Sequence, residues 1–289
     1  MKGYIFVMLS SAIFGCMPLV AKSVYASGVN TLSLVTLRSL LAVPMLYIVL
    51  RLRKTDISIK PKELGSVSLL CAMGSAITPT LLFYSYNYIS SGMATTLHFI
   101  YPVFVMLGCF LIYKDPIGKS KLLCVFLCVI GTALFYSPDS VNAMGVALSL
   151  VSGVTYAAYI IMLDKNEVRL MDPFKFQFWG SLSCSIVMLV ICLAADCLTL
   201  PQSIEIWAIC LLFAFMVAVI GIMLFQVGVV LTGAQNAAIL STVEPIMGTV
   251  LGILIFDEVF GIRNLLGLAA ILAAVILLAI NENKAHQSV

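Results

Sequence analysis

Charge is scarce in this sequence. Only 10% of its 289 residues are Asp, Glu, Lys or Arg, against nearer 25% in a soluble globular chain. Hydrophobic residues make up 62%, and mean hydropathy is +1.12. So much apolar surface needs an apolar solvent, and a bilayer span needs about 20 mainly apolar residues. Long polar stretches are also missing. At roughly 28 residues per span and its connection, ten spans use the whole chain and leave no soluble catalytic domain. A fused ATPase is thereby excluded. Gly118-Lys119-Ser120 ends like a phosphate-binding loop, but Tyr113 stands where its first glycine is needed. Enzyme motifs are lacking too: there is no His-Glu-x-x-His and no Gly-x-Ser-x-Gly. Of two histidines only His98 falls in an apolar run, and one histidine cannot build a metal site. The nine cysteines are scattered, with no Cys-x-x-Cys. They read as small buried hydrophobes, Cys124 and Cys128 on one helix face included. The sequence calls for no metal, no cofactor and no nucleic acid.

What is there is a succession of apolar runs, at about 3–22, 31–50, 64–86, 92–113, 120–137, 143–163, 174–195, 204–226, 234–256 and 263–281. This predicts an all-α integral membrane protein with ten transmembrane helices. Basic residues orient it. With the N-terminus inside, the inner segments hold Lys2, Arg51, Arg53, Lys54, Lys60, Lys62, Lys114, Lys119, Lys121, Lys165, Arg169, Lys175 and Lys284. The outer segments hold Lys22 and Arg263. Both termini are therefore expected in the cytoplasm, with the chain multi-pass in the cell membrane. Trp207, Tyr113 and Tyr136 fall near span ends, where interfacial anchors sit. Lys2 and the apolar run after it have the look of a signal peptide, but the run has a counterpart in mid-chain, so it reads as a retained first span.

That counterpart belongs to an internal repeat. At an offset of 142, Gly3 meets Gly145, Ser10 meets Ser152, Phe14 meets Tyr156, and Asn30-Thr31 meets Asp172-Pro173. At 143, Pro102 meets Pro245, Asp115 meets Glu258 and Gly118 meets Gly261. Residues 1–137 and 143–281 thus read as two five-span units, followed by a short cytoplasmic tail, 282–289. Five is odd, so the units must be inverted relative to one another. Inverted repeats recur in secondary transporters, with the substrate near the midplane between them.

The repeats carry a recognisable pattern. Residues 88–104 end in Leu97-His98-Phe99-Ile100-Tyr101-Pro102-Val103-Phe104, followed by Lys114-Asp115-Pro116 and Gly118. Residues 232–245 end in Ser241-Thr242-Val243-Glu244-Pro245, followed by Phe256-Asp257-Glu258 and Gly261. The duplicated proline with an acid thirteen positions later resembles the EamA-type family of the drug/metabolite transporter superfamily, over essentially the whole chain. Arg38, followed by Ser39-Leu40-Leu41-Ala42, is similar to that family's arginine in the second span. Lys114-Asp115 departs from the family's usual Gly-Glu but keeps an acid. The resemblance implies ten spans, a central cavity between the halves, and movement of amino acids, nucleobases or related metabolites, often outward.

Ionisable residues inside spans are costly and mark function by default. Arg38 lies about eight residues from the outer end of span two and Glu244 about ten from the inner end of span nine, each roughly 12–15 Å deep. Arg38 reads as a gating or structural charge that bonds helix-end carbonyls. Glu244 is the stronger functional candidate. Ionised and unpaired near mid-bilayer it would cost a few kcal/mol, so it is either protonated or paired, and Pro245 beside it loosens the helix. His98 and Tyr101 occupy the repeat positions of Ser241 and Glu244. Ser152, Tyr156 and Tyr159 share one face of span six, and Ser11, Phe14 and Pro18 one face of span one. Tyr84 in span three is matched by Gln226 in span eight; Asn236 opens span nine. Aromatic walls with a few amides suit a small neutral or zwitterionic solute. The expected substrate site is Ser11, Phe14, Tyr84, His98, Tyr101, Tyr156, Tyr159, Gln226, Asn236 and Glu244. Tyr86 and Tyr88 read as interfacial. Pro18, Pro79, Pro102 and Pro245 interrupt apolar helices and are expected to line cavities or act as hinges. Gly248 and Gly252 suit packing within the bundle better than a dimer face.

The reading is a secondary transporter, exporter or facilitator of small organic metabolites, a monomer or weak homodimer. Its partners are a small-molecule substrate and the lipid bilayer. A flippase for a lipid-linked carrier is the alternative, mildly disfavoured by the dispersed inner lysines; an intramembrane enzyme and a channel rank below it. The topology has a direct test. Single cysteines engineered at 52–60 and at 198–203 should label from opposite faces of the membrane. Labelling of both from one face overturns the orientation.

Overall fold

Asparagine, aspartate and serine side chains start the long helices. Asn30 accepts from the Ser33 amide, Asn142 from Met144 and Gly145, Asp172 from Phe174 and Lys175, and Ser203 from Ile206. Each satisfies amides that a helix start leaves unbonded. The computed structural model describes residues 2–89, 91–134, 142–247 and 261–287, apart from the side chains of 91, 92, 264, 279 and 281–287.

Within these residues the protein is helical throughout, without strands. The elements are α1 (Lys2–Gly15), α2 (Met17–Tyr25), α3 (Thr31–Leu52), α4 (Pro61–Cys71), α5 (Thr78–Ser85), α6 (Ser91–His98), α7 (Tyr101–Tyr113), α8 (Lys119–Leu134), α9 (Ala143–Lys165), α10 (Pro173–Ala194), α11 (Ile204–Phe213), α12 (Ile222–Thr232), α13 (Ala234–Leu240) and α14 (Ile262–Gln287). Among the described residues, seven helical stretches are long and apolar enough to cross a membrane: Lys2–Tyr25, Thr31–Leu52, Pro61–Ser85, Met93–Tyr113, Ala143–Lys165, Pro173–Ala194 and Ile204–Thr232. Their bounds agree with the expected runs to within a few residues. The remaining three expected spans fall at α8, at α13 and at α14. The first two run into 135–141 and 248–260, outside the described residues. The apolar part of the third is the shorter Leu265–Leu278. Tyr136, Gly248, Gly252 and Phe256-Asp257-Glu258 also lie outside.

Several irregularities come in pairs at constant separation. A π-helical turn, Ala72–Ile77, joins α4 to α5, and another, Ala214–Gly221, joins α11 to α12; their first residues are 142 positions apart. The helix caps Asn30 and Asp172 have the same separation. So do Lys54 and Asp196, both in the left-handed region, with φ of 54° and 46°, just past α3 and α10. At α3 Thr55 bonds back to Leu50 and Lys54 to Arg51; at α10 Cys197 bonds to Cys192 and Asp196 to Leu193. That double closure is the Schellman motif, here without the usual glycine. A fourth pair breaks the helix between α6 and α7 after His98 and, 143 positions on, between α13 and residues 244–247 through a 3₁₀ turn, Ser241–Val243.

The packing follows the same pattern. α1 lies along α12 and α5 along α9; α13 meets α1 and α6 meets α9; α3 lies along α10 and α8 along α14. Exchanging the two halves of the chain maps this set of neighbours onto itself. The centre of the bundle is aromatic: Phe14, Phe83, Phe99, Tyr101, Tyr156, Tyr159 and Phe225 are all buried.

α10 approaches α4 closely because position 180 has no side chain. A Cβ there would lie 2.1 Å from Cys71 Sγ and 3.0 Å from its Cβ. Gly180→Ala should therefore destabilise the protein by about 1–3 kcal/mol, the usual range for overpacking. Thermal unfolding in detergent reads this, and adding Cys71→Ala should recover most of the loss. A double variant no more stable than Gly180→Ala alone would disprove the packing account.

Candidate functional site

A cavity of about 70 Å³ opens in the middle of the bundle. Its walls come from nearly every part of the chain: Phe14, Met17 and Pro18 from α1 and α2, Arg38 from α3, Gly74 from the first π-helical turn, and Thr78, Pro79, Leu82 and Phe83 from α5. Tyr86, Thr95 and His98, then Tyr156 of α9, Val217 of the second π-helical turn, Ile222 of α12 and Glu244 complete it. Both π-helical turns and both breaks in the α6–α7 and α13 helices thus reach this cavity. Irregular backbone belongs there, because in lipid it would leave polar groups unsatisfied.

Arg38 is 3% exposed. Its guanidinium donates from Nη2 to the carbonyl oxygen of Ser75, inside the first π-helical turn. Its Nε has no partner. Glu244 sits where the 3₁₀ turn gives way to helix. Among the described residues its carboxylate has no hydrogen-bond or ion-pair partner, and it does not pair with Arg38. The cavity therefore holds one cationic and one acidic side chain that are not engaged with one another.

His98 is fixed by a chain of hydrogen bonds. The Ser152 hydroxyl donates to the Ser149 carbonyl at 2.6 Å. His98 Nδ1 lies 2.8 Å from the same Ser152 Oγ, and the ring tautomer decides which of the two donates. With the proton on Nδ1, the Nε2 of the neutral ring is an acceptor. Ring contacts hold the imidazole: its centroid is 5.4 Å from those of both Tyr101 and Tyr156. Tyr101 meets Tyr156 edge-on at 4.9 Å. Tyr159 and Phe225 stack on Tyr156 from behind, at 6.0 and 5.8 Å.

Of the residues singled out in the sequence, Phe14, Arg38, His98, Tyr156 and Glu244 line the cavity. Tyr101 and Tyr159 form a second layer behind it. Ser11 is buried and spends its hydroxyl on the Val7 carbonyl of its own helix. Gln226 is 0% exposed with neither amide atom bonded, and Asn236 is buried with Oδ1 unpartnered; neither side chain lines the cavity. Tyr84 does not line this cavity. It is 43% exposed and packs on Tyr88, because one residue turns it roughly 100° away from buried Phe83. Tyr86, assigned above to the interface, lines the cavity instead. The signal was present: Tyr86 follows Phe83 by three residues and Pro79 by seven, on one helix face. Pro18 and Pro79 reach the cavity as well.

A wider cavity of about 640 Å³ lies at the end of the bundle bearing the 53–60 and 165–172 connections. Charged residues rim it, among them Lys62, Glu63, Lys165, Glu167 and Lys175. Ion pairs join the two halves nearby: Lys165 to Asp115 at 2.6 Å and Arg53 to Asp172 at 3.2 Å. The acid that follows Pro102 by thirteen residues therefore has a partner in the other half. Being partly exposed, these pairs contribute little stability singly.

The profile of the EamA-like transporter family matches residues 1–137 and again 143–280. The chain belongs to the EamA-like transporter family. Relatives include the uncharacterized transporter YcbK of Bacillus subtilis (strain 168), 24% identical over 282 residues, covering 92% of this chain and 88% of that protein. The uncharacterized transporter sll1319 of Synechocystis is 28% identical over 187 residues, or 62% of this chain and 55% of that one, so the chain spans only about half of that relative. An uncharacterized transporter of Archaeoglobus fulgidus is 31% identical over 101 residues, 35% of this chain and 37% of that one. A crystal structure with 10% identity superposes with a TM-score of 0.81 over 98% of both chains. That likeness establishes the fold alone. As an EamA-like protein the chain is a multi-pass membrane protein of a transporter family.

Replacing Arg38 tests what its contact with Ser75 does. Arg38→Ala should lower folded yield, and transport of every substrate alike, since the Ser75 carbonyl loses its donor at about 1–3 kcal/mol. Expression and uptake of several solutes read this. Normal yield with altered substrate preference would make Arg38 a binding residue instead.

Proposed function

We propose that the protein is a secondary transporter or facilitator of small organic metabolites in the cell membrane, with ten spans in two inverted five-helix halves. The observation that carries the reading is the central cavity. Both halves wall it, aromatic rings line it, and it holds an unengaged carboxylate. The exchange-symmetric helix packing and the irregularities repeated at 142 or 143 positions support two inverted units. Alternating access would rock these halves about the cavity, and the broken helices offer backbone that can move. Ion pairs between the halves at the Lys165 end favour the same picture, since rocking would make and break them.

Within the cavity the solute would lie against Phe14, Tyr86 and Tyr156, with His98 Nε2 as a hydrogen-bond acceptor. Amino acids and nucleobase-like compounds have the mixed polarity for this, and the cavity of about 70 Å³ would widen in the cycle to admit one. Glu244 would meet a positively charged group of the solute or carry a proton or cation through the cycle. An acid buried this deep and left unpaired is a binding group or a proton carrier. The first half has Tyr101 in the matching position, so the near-symmetric fold holds a one-sided site.

Screening the purified protein against a metabolite library by thermal shift would supply the solute, since a ligand that binds only the folded state raises stability. Transport of that solute into proteoliposomes then tests Glu244. Glu244→Gln keeps shape and hydrogen bonding but cannot ionise. Its uptake should fall at least about tenfold, or lose its dependence on pH and cations, a change of ~1.4 kcal/mol or more. Full uptake with an unchanged pH and ion profile would reduce Glu244 to a structural residue.

A further inference from the structure

The Schellman closure after α10 brings two cysteines together. In this motif the side chain three residues inside the helix end meets the side chain two residues beyond it. Here those are Cys192 and Cys197. The Cys197 amide bonds the Cys192 carbonyl at 3.0 Å, and Asp196 between them takes the left-handed conformation that closes the turn. Both thiols are free, Cys192 buried and Cys197 half-buried. The Cys197 thiol is pushed up by burial and then by the neighbouring Cys192 thiol. The surroundings hold the turn in place. Asn30 Nδ2 and Ser33 Oγ donate to the Cys197 carbonyl, and the Thr199 amide donates to Ser33 Oγ at 2.8 Å. Thr36 Oγ1 touches Cys192 Sγ at 3.4 Å. Two thiols joined across one closed turn at the end of a span, with one of them reachable, have the makings of an oxidisable pair.

We infer that Cys192 and Cys197 form a redox-active dithiol that closes to a disulfide by exchange with a small disulfide oxidant. The Cys197 thiolate, its proton lost to water, attacks one sulfur of the oxidant and releases the other half as a thiol. Cys192 then loses its proton and attacks the Cys197 sulfur, forming the intramolecular bond and releasing the second half as a thiol. The protein gives up two electrons and two protons, and the oxidant takes both. Disulfides persist outside the cytoplasm, so a standing role rests on the proposed orientation, which puts this turn on the outer face. There a disulfide would lock the turn that ends α10, whose Cys197 carbonyl already bonds the start of α3, the helix that carries Arg38.

The purified protein in detergent gives the direct test, because both faces are then accessible. After treatment with oxidised glutathione, free thiols are counted by N-ethylmaleimide under denaturing conditions and intact mass. The wild type should lose two of its nine labels. Cys192→Ser should lose one label and gain one glutathione, trapped on Cys197, and Cys197→Ser should keep all of its labels, whereas Cys16→Ser, at the other half-buried cysteine, should still lose two. Unchanged labelling of the wild type, a lasting glutathione adduct on the wild type, or a two-label loss in either Cys192→Ser or Cys197→Ser would overturn the pair. Intact cells given a membrane-impermeant disulfide oxidant then address the face. Closure there supports the outer placement; closure in detergent but not in cells overturns that placement and leaves the pair standing.

Discussion

Inside a bilayer every backbone amide and carbonyl must find its partner within the protein, and this protein's architecture follows from that constraint. Unbroken helix satisfies it anywhere. Broken helix satisfies it only where neighbouring protein can supply the missing bond. The π-helical turns at Ala72–Ile77 and Ala214–Gly221, and the breaks after His98 and at Ser241–Val243, all sit around one cavity. The Arg38–Ser75 contact shows the local solution: a side chain from α3 reaches a carbonyl that the widened turn leaves open to it. The place where the backbone departs from the helix is thus also where polar side chains collect.

Two features set the chemistry of that place. Around Tyr156, the rings of Tyr101, Tyr159, Phe225 and His98 fix one another's positions, so the aromatic wall is rigid. Against it stand groups whose bonding is incomplete: Arg38 Nε, the Glu244 carboxylate and the free nitrogen of His98. A rigid apolar surface with a few unfilled polar valences is what a small solute of mixed polarity requires.

Much of this was legible in the sequence, for identifiable reasons. The positions of the seven apolar spans follow from hydropathy alone, whereas the caps Asn30, Asn142, Asp172 and Ser203 emerge only with the structure. The duplicated proline motifs pointed to broken helices in span four and span nine. Other features lay beyond periodicity. The π-helical turns contain Ala72-Met73-Gly74-Ser75 and Ala214-Phe215-Met216-Val217, which look like ordinary apolar helix. Tyr84 and Tyr86 are two residues apart in a tyrosine-rich run, and which of them faces inward depends on helical phase counted from Phe83. Ser11 has the right face but satisfies its hydroxyl within its own helix, a choice that composition does not reveal.

The π-helical turns bear on how this chain is compared with others. Each bonds over five residues instead of four and so absorbs about one residue more than an α-turn. Every side chain after it in the same span is rotated by roughly 100° relative to a helix without it. Against a chain whose third and eighth spans are plain α-helix, the true correspondence would need a one-residue gap in mid-membrane, between Cys71 and Thr78 and between Phe213 and Ile222. An ungapped alignment would match Thr78, Pro79 and Ile222 with residues that face elsewhere. Substrate determinants copied across such an alignment would be placed on the wrong side of the helix, although the percentage identity would hardly change.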